Sequence, residues 1–427
     1  MTERQTRILP VQRLNKPLAH NKTVAQWWAE EKTTNTPEAA AVLEAAEALR
    51  TSDIPVGFPT ETVYGLGADA TRSASVQGIY KAKKRPSDNP LIVHVDSIEM
   101  VNRLLNPDGR SSMTKIPAIY EPLISRFWPG ALTILLPNPE GSLLAKEVTA
   151  NLPTFGVRMP SSAFARLLIH VAGRPLAGPS ANASTKPSPT TAQHVYHDLQ
   201  GRIDIILDGG PCGVGVESTV VDGLSDPPAI LRPGGIGIEE IKACPGWENV
   251  QVGYHDSALQ SKEAPRAPGM KYRHYSPKAR VVLFEAGSDL SQVAGRVTQE
   301  LASSQSANDS CGRKIGIVRT KTWPLAIQLA SDAKASAQTQ QTSSDNDDTL
   351  PIRQISTRIK DVSTTIFDVN LGSSAESIAR GLFAALRSLD AENVDAIYIE
   401  GIRDDEGDLS AAVMNRLRKA AEVFVTI

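Results

Sequence analysis

Between Gly57 and Val95 the chain runs from a short apolar segment through a turn of small polar residues into a helix and then a second apolar segment. That order commits this part of the molecule to layered α/β packing. The run Ile54–Phe58 has strand character and stops at Pro59, after which Thr60, Glu61 and Thr62 put three short polar side chains on a turn ahead of Gly65 and Gly67. The turn reads as the lip of a polar pocket. Val76, Ile79, Tyr80 and Lys83 follow at helical spacing, and the helix ends in Lys81, Lys83, Lys84 and Arg85 with Pro86 as its stop. Cations at a helix C-terminus are explained by the helix dipole and by solvation alone. The next strand adds a different signal: Leu91, Val93 and Val95 fall on one face, Ile92 and His94 on the other. His94 then points where the polar turn points.

A chain of 427 residues exceeds one ordinary core, so two domains are expected. With 41% hydrophobic and 22% charged residues and a net charge of −2, nothing drives the whole protein toward nucleic acid, and any anion site must be local. Cys212, Cys244 and Cys311 are far apart and have no histidine at metal spacing, which argues against a disulfide framework or a zinc site and fits a reducing compartment. No run of roughly 18 apolar residues occurs and the N-terminus lacks a hydrophobic signal core, so a cytoplasmic protein without a membrane span is expected. Arg4, Arg7, Arg13 and Lys16 leave a mitochondrial form open.

Residues 1–37 read as a polar extension that packs by Trp27 and Trp28. Thr36 can cap, and Pro37 can begin, an alanine-rich helix to Arg50. Trp128 to Pro137 gives a turn and a strand; Phe155 to Met159 is a short strand with Arg158 on the face opposite Phe155 and Val157. An arginine there needs a partner, and an ion pair at a sheet edge supplies one as well as a ligand does. Ser161 and Ser162 cap a helix with the stripe Phe164, Leu167, Leu168 and Val171, closed by Gly173. From Pro175 a short apolar strand empties into Ser180, Asn182, Ser184, Thr185 and Ser188, more hydrogen-bonding groups than a turn requires. Ile203–Leu207 is a strand, Ser218 and Val220 share a face, and Arg232 stands at a strand end. The composition shifts to Pro, Gly and charge over 244–280, an expected linker whose segment Lys271 to Tyr275 is unusually basic and aromatic for a spacer. Val281–Phe284, Ile315–Val318 and Ala396–Glu400 read as strands of a second domain, with an apolar stripe Ile378, Leu382, Leu386 and Leu389, a helix Ala411–Ala421 and a low-complexity loop at 333–348.

The candidate site so collected holds hydroxyls, an imidazole and several cations, without a nucleophile triad, a G-x-x-x-x-G-K-[ST] loop or a G-x-G-x-x-G fingerprint. It suits neutralisation of phosphate and carboxylate better than covalent catalysis. P-T-E-T-V-Y-G-L, K-x-R at Lys83 and Arg85, P-S-A-N at Pro179–Asn182, G-V-E-S-T-V-V-D, L-R-P-G-G and H-Y-S-P together resemble the threonylcarbamoyl-AMP synthases of the YrdC-like family in their longer, two-domain form. The resemblance covers about residues 38–427.

It implies a twisted YrdC-like catalytic domain over 38–243 with a basic concave surface, a linker over 244–280 that covers the active site, and a smaller Rossmann-like domain over 281–427. It further implies synthesis of L-threonylcarbamoyladenylate from L-threonine, bicarbonate or CO₂, and ATP with Mg²⁺, releasing pyrophosphate. The product passes to the threonylcarbamoyl transferase machinery that makes t⁶A in tRNA. By motif, Thr62, His94, Arg158, Gly178 and Ser218 would hold threonine; Arg85, Asn89, Thr154, Ser180, Ser188, Arg232 and Tyr275 would contact ATP; Lys83, Arg85, Ser180 and Asn182 would form the catalytic K-x-R and S-x-N set. Two alternatives stand beside this: a module binding RNA weakly through its basic surface, and a carbamoyltransferase using carbamoyl phosphate, whose zinc-finger and acylphosphatase-like segments this sequence lacks.

Overall fold

The computed structural model describes residues 4–19, 22–107, 115–254, 275–303, 312–329, 350–360 and 362–426. The chain falls into two units, Met1–Ser184 with Ser188–Tyr272 and Thr185–Pro187 with Arg273–Ile427.

The first unit is built on a mixed eleven-stranded sheet. Its strands are β1 (Arg7–Pro10), β2 (Val56–Phe58), β3 (Gly65–Asp69), β4 (Ile92–His94), β5 (Leu132–Pro137), β6 (Thr154–Arg158), β7 (Leu176–Ala177), β8 (Ile205–Asp208), β9 (Thr219–Asp222), β10 (Ala229–Arg232) and β11 (Gln251–Val252). They lie in the order β1-β8-β2-β3-β7-β4-β6-β5-β9-β10-β11. β4 runs parallel to β6 and antiparallel to β7, while β5 is antiparallel to β6 and parallel to β9. The period of two along each strand separates the faces. Val93, Val157 and Ile134 join the main core, whereas Ile92, Leu135, Val220 and Leu231 form a small cluster on the other face. His94 and Arg158, which are partners in the β4–β6 register, share that second face with Ile92.

Local chemistry sets the helices as the sequence predicts. Thr36 caps the helix Pro37–Thr51 by accepting from the Ala39 N–H, with proline in the first turn. Ser162 caps Ala163–Ala172, which buries Phe164, Leu167 and Leu168 and ends at Gly173 with φ +64°. The helix Ser73–Lys83 ends sooner than the stop expected at Pro86, because Lys84 turns left-handed at φ +53°.

Two boundaries differ from expectation. The first 37 residues are no mere extension: β1 pairs in parallel with β8, Val11 and Leu14 are fully buried, Arg7 ion-pairs with Glu44, and Arg13 bonds Glu31. Four residues paired with a strand far along the chain leave no local pattern to read. Residues 244–254 likewise belong to the first unit, because Cys244, Trp247 and Val250 lie in its core and β11 extends the sheet beside β10. Pro245 and Gly246 mark a turn inside the unit, with Gly246 at φ +84°, and Trp247 Nε1 donates to the Ile119 carbonyl at 2.8 Å. The segment Lys271 to His274 and the low-complexity stretch 333–348 lie outside the described residues.

The second unit carries β12 (Arg280–Phe284), β13 (Arg313–Arg319), β14 (Ile352–Ile359), β15 (Val362–Asn370), β16 (Ala396–Glu400) and β17 (Val423–Val425) in the order β14-β15-β13-β16-β12-β17. All pairs are parallel except β14–β15, a doubly wound sheet with one antiparallel edge. Ile378, Leu382, Leu386 and Leu389 form the buried stripe of the helix Ala375–Ala391, as their spacing predicts. At the carboxyl end of β16 the buried Glu400 carboxylate accepts the backbone N–H groups of Thr320, Thr322 and Trp323 and the Thr322 hydroxyl. Among the described residues no helix is long and apolar enough to cross a membrane.

Candidate active site

Three pairs of sequence motifs meet in the first unit. The P-T-E-T turn meets β6: Arg158 donates from Nη1 to Thr62 Oγ1 at 3.0 Å, from Nε to the Gly130 carbonyl at 3.1 Å, and from Nη2 to Glu61 in an ion pair. The expected sheet-edge ion pair is therefore present, but on a strand flanked by β4 and β5. Three of the five guanidinium N–H groups are used in these bonds, which leaves one on each terminal nitrogen. Thr62 is itself fixed through its hydroxyl to Thr60 at 3.0 Å, and both are buried.

The L-R-P-G-G and G-V-E-S-T segments form the second pair. Arg232 donates to the Ser218 carbonyl from Nε and Nη2, at 3.1 and 2.9 Å, and to Ser218 Oγ at 3.1 Å, while Ser218 Oγ is 2.8 Å from Thr133 Oγ1. Ser188 Oγ donates to Glu217 at 2.6 Å in the interior. Gly234 is required here, since a Cβ on it would stand 2.3 Å from the backbone of Ser218 and Thr219. Ser218, expected on threonine, and Arg232, expected on ATP, are thus bonded to each other.

The third pair joins the helix end to P-S-A-N. Lys83 is buried, unlike its exposed neighbours Lys81 and Lys84, and its ammonium donates to the Ser180 carbonyl and, at 2.6 Å, to the Asn182 carbonyl. Ser180 Oγ donates to Asn182 Oδ1 at 2.6 Å. The solvated helix-end role open to this charge run does not apply to Lys83; it anchors the Ser180–Asn182 loop.

His94 stands on β4, beside Arg158 of β6 and Leu176 of β7 in the sheet register. Burial, reinforced by the positive charge of Arg158, lowers its pKa to about 3, so the imidazole is neutral at physiological pH. Its Nδ1 is buried without a hydrogen-bond partner, its ring meets Phe58 edge-on at 6.2 Å, and Gly178 packs against it: a Cβ on Gly178 would stand 2.8 Å from Nδ1.

The remaining candidates are spread more widely. Asn89 is buried before β4, with Oδ1 lacking a hydrogen-bond partner and its carbonyl accepting from the Tyr80 hydroxyl at 3.0 Å. Arg85 reaches the Pro90 carbonyl at 3.5 Å. Thr154 opens β6 while Arg158 closes it, so four strand steps, about 13 Å, separate the two. Tyr275, expected to close over the nucleotide, is buried in the second unit with its ring 5.2 Å from Phe383 and the Arg416 guanidinium 5.8 Å over it. Glu61, Glu217 and Thr133 complete the clusters without being among the site residues that the motifs name. Glu61 does lie in the polar turn, and a carboxylate beside two threonines was the available signal.

Residues 48–234 match the family model described as Telomere recombination, and residues 236–422 match that of the threonylcarbamoyl-AMP synthase C-terminal domain. The fold and site are thus those of a two-part protein, a YrdC-type domain carrying a C-terminal companion. The threonylcarbamoyl-AMP synthase of Schizosaccharomyces pombe is 45% identical over 402 residues, which is 90% of this chain and 89% of that protein. The Bacillus subtilis threonylcarbamoyl-AMP synthase is 40% identical over 393 residues, 92% and 95% of the two chains. The crystal structure of Pyrococcus abyssi Sua5 complexed with L-threonine aligns with a TM-score of 0.71 at 37% identity, covering 90% of this chain and 96% of that one. The chain belongs to the threonylcarbamoyl-AMP synthase family.

Proposed function

We infer that this protein makes L-threonylcarbamoyladenylate from L-threonine, bicarbonate or CO₂, and ATP, releasing pyrophosphate, as the first step of t⁶A formation in tRNA. One observation carries the reading: Arg158 with two N–H groups to spare is gathered with Thr62, and paired in register with His94, in a chain that matches these synthases along nearly its whole length. Arg158 would take the threonine carboxylate, and Thr62, His94 and Ser218 the side-chain hydroxyl and its surroundings. Arg85, Asn89, Thr154, Ser180, Ser188 and Arg232 would face ATP.

The threonine amine, as free base, adds to CO₂ and loses a proton to give the carbamate. A carbamate oxygen then attacks the α-phosphorus, the bond from that phosphorus to the bridging oxygen breaks, and pyrophosphate leaves with the electron pair. Lys83 serves this by holding the Ser180–Asn182 loop, and the buried setting of His94 and Arg158 limits hydrolysis of the carbamate and the mixed anhydride. Mg²⁺ would arrive on the ATP phosphates, the usual mode for an ion that keeps its water and needs few protein ligands. That mode fits a site where no three His, Cys, Asp or Glu side chains are gathered among the described residues. Bound there it would neutralise developing phosphate charge.

The test is incubation with ATP, Mg²⁺, bicarbonate and each amino acid in turn, with pyrophosphate and the adenylate followed by mass spectrometry. Threonine-dependent release of pyrophosphate with the threonylcarbamoyl adenylate is expected. Release independent of threonine, or none, would overturn the reading.

A further inference from the structure

Glu61 has no place in the chemistry just described, yet its side chain makes three bonds, all of them to residues roughly a hundred positions later in the chain. Its carboxylate ion-pairs with Arg158 through Nη2 and accepts the backbone N–H of Ser161 at 3.1 Å and of Ser162 at 3.4 Å. Those two N–H groups sit at the start of the ten-residue helix Ala163–Ala172, for which Ser162 is the cap, so Glu61 also faces the positive end of that helix. Its backbone is fixed as well: the Glu61 carbonyl accepts the Val214 N–H at 2.8 Å, and the Thr62 carbonyl accepts that of Gly215 at 3.0 Å. Its side chain is 15% exposed, and although burial pushes its carboxyl upward, the charge and hydrogen bond of Arg158 outweigh that and hold it below the usual range. It is a fixed anion, unsuited to act as a base.

We propose that Glu61 is a positioning residue for threonine: it locks the Arg158 guanidinium against a rigid helix end, so that the N–H groups Arg158 does not spend on protein are held in place for the substrate carboxylate. Three anchors of different origin define the orientation of that guanidinium, namely the turn through Glu61 and Thr62, the Gly130 carbonyl, and the strand β6 itself. Removing Glu61 frees the terminal nitrogen on one side and leaves the others to pivot. A misplacement of about 1 Å at such a contact can cost on the order of a hundredfold. The effect acts on threonine and not on ATP, because the Glu61 carboxylate bonds Arg158 and the helix start at Ser161 and Ser162 and none of the ATP candidates Arg85, Asn89, Thr154, Ser180, Ser188 and Arg232.

This inference rests on the threonine-dependent reaction proposed above, so wild-type turnover is measured first; its absence refutes that reading and not this one. Given turnover, Glu61→Asp keeps the charge but is one methylene too short to span Arg158 and the helix end, and Glu61→Gln keeps the length but turns an amide donor toward donors. Both are expected to raise KM for threonine roughly tenfold or more while KM for ATP stays within about twofold. Circular dichroism and thermal unfolding identify a variant that fails to fold, in which case the other variant decides. The decisive arm is the cycle with Arg158→Ala: if Glu61 acts through Arg158, adding Glu61→Gln to Arg158→Ala costs little further. An unchanged KM for threonine, equal rises for both substrates, or a full additional penalty in the Arg158→Ala background would each overturn the proposal.

Discussion

Gly178→Ala is a single-methyl perturbation whose cost can be worked from distances. Gly178 needs no left-handed backbone, so alanine is not excluded by its dihedral angles; what excludes it is the His94 ring, with Nδ1 at 2.8 Å and Cε1 at 3.1 Å from the new Cβ. Ordinary contact begins near 3.4 Å, so the ring must retreat by 3.4 − 2.8, or about 0.6 Å. It has little room, being buried and in edge contact with Phe58. Overpacking of this kind costs roughly 1–3 kcal/mol of stability. If His94 contacts threonine, the same displacement should lower kcat/KM for threonine by about tenfold, scaled from the hundredfold loss that an ångström commonly brings. The assay is pyrophosphate release against threonine concentration at saturating ATP, beside urea unfolding of both proteins. A variant that loses stability but keeps threonine kcat/KM would remove His94 from the pocket, and one that loses neither would refute the contact geometry.

His94 also fixes a pH response. Its folded pKa of about 3 lies below the ordinary 6.5, so between those values the unfolded chain holds more protons; this contribution is fully present above pH 6.5 and is lost as pH falls toward 3, by up to about 1.4 kcal/mol per pH unit. His94→Gln should flatten that slope in urea titrations at pH 5 to 6, and an unchanged slope would show that another group carries it. Lys83→Met leaves the Ser180 and Asn182 carbonyls without their ammonium; at roughly 1.5–3 kcal/mol per charge-assisted bond, a loss of about 2 kcal/mol or more is expected, with turnover abolished, and near-native stability would contradict the anchoring role. Among amino acids, threonine should exceed valine by roughly 10⁴-fold, because a site built to bond a hydroxyl leaves its own polar groups unpaired when the hydroxyl is missing, whereas serine should compete better. Comparable pyrophosphate release with valine would remove Thr62, His94 and Ser218 from the side-chain pocket.

Much of this arrangement was legible before any coordinates. Alternation along β4 separated His94 from Val93, capping chemistry marked Thr36, Ser162 and Gly173, and the stripe from Ile378 to Leu389 gave its helix. What stayed hidden is pairing across distance. Glu61 and Arg158 are 97 positions apart, and nothing local distinguishes a carboxylate that solvates a turn from one that holds a guanidinium. Lys83 is a partial case: its spacing from Val76, Ile79 and Tyr80 put it on the buried stripe, but what awaited it there, the Ser180 and Asn182 carbonyls, comes from a loop nearly a hundred residues later. β1 and β11 failed for a related reason, since each is too short to show a period and acquires strand character only from its neighbour in the sheet.

The carboxylate of Glu400 bears on how many nucleotides one chain can carry. In doubly wound sheets the phosphates of a bound nucleotide settle at the carboxyl ends of the strands, against converging backbone N–H groups. The second unit has such a convergence at Thr320, Thr322 and Trp323, and its own glutamate already fills it. A phosphate entering there would have to displace a buried anion that accepts four hydrogen bonds, and would meet like charge while doing so. The likeness of this unit to nucleotide-binding sheets is therefore one of framework, and titration with an ATP analogue should saturate at a single equivalent per chain.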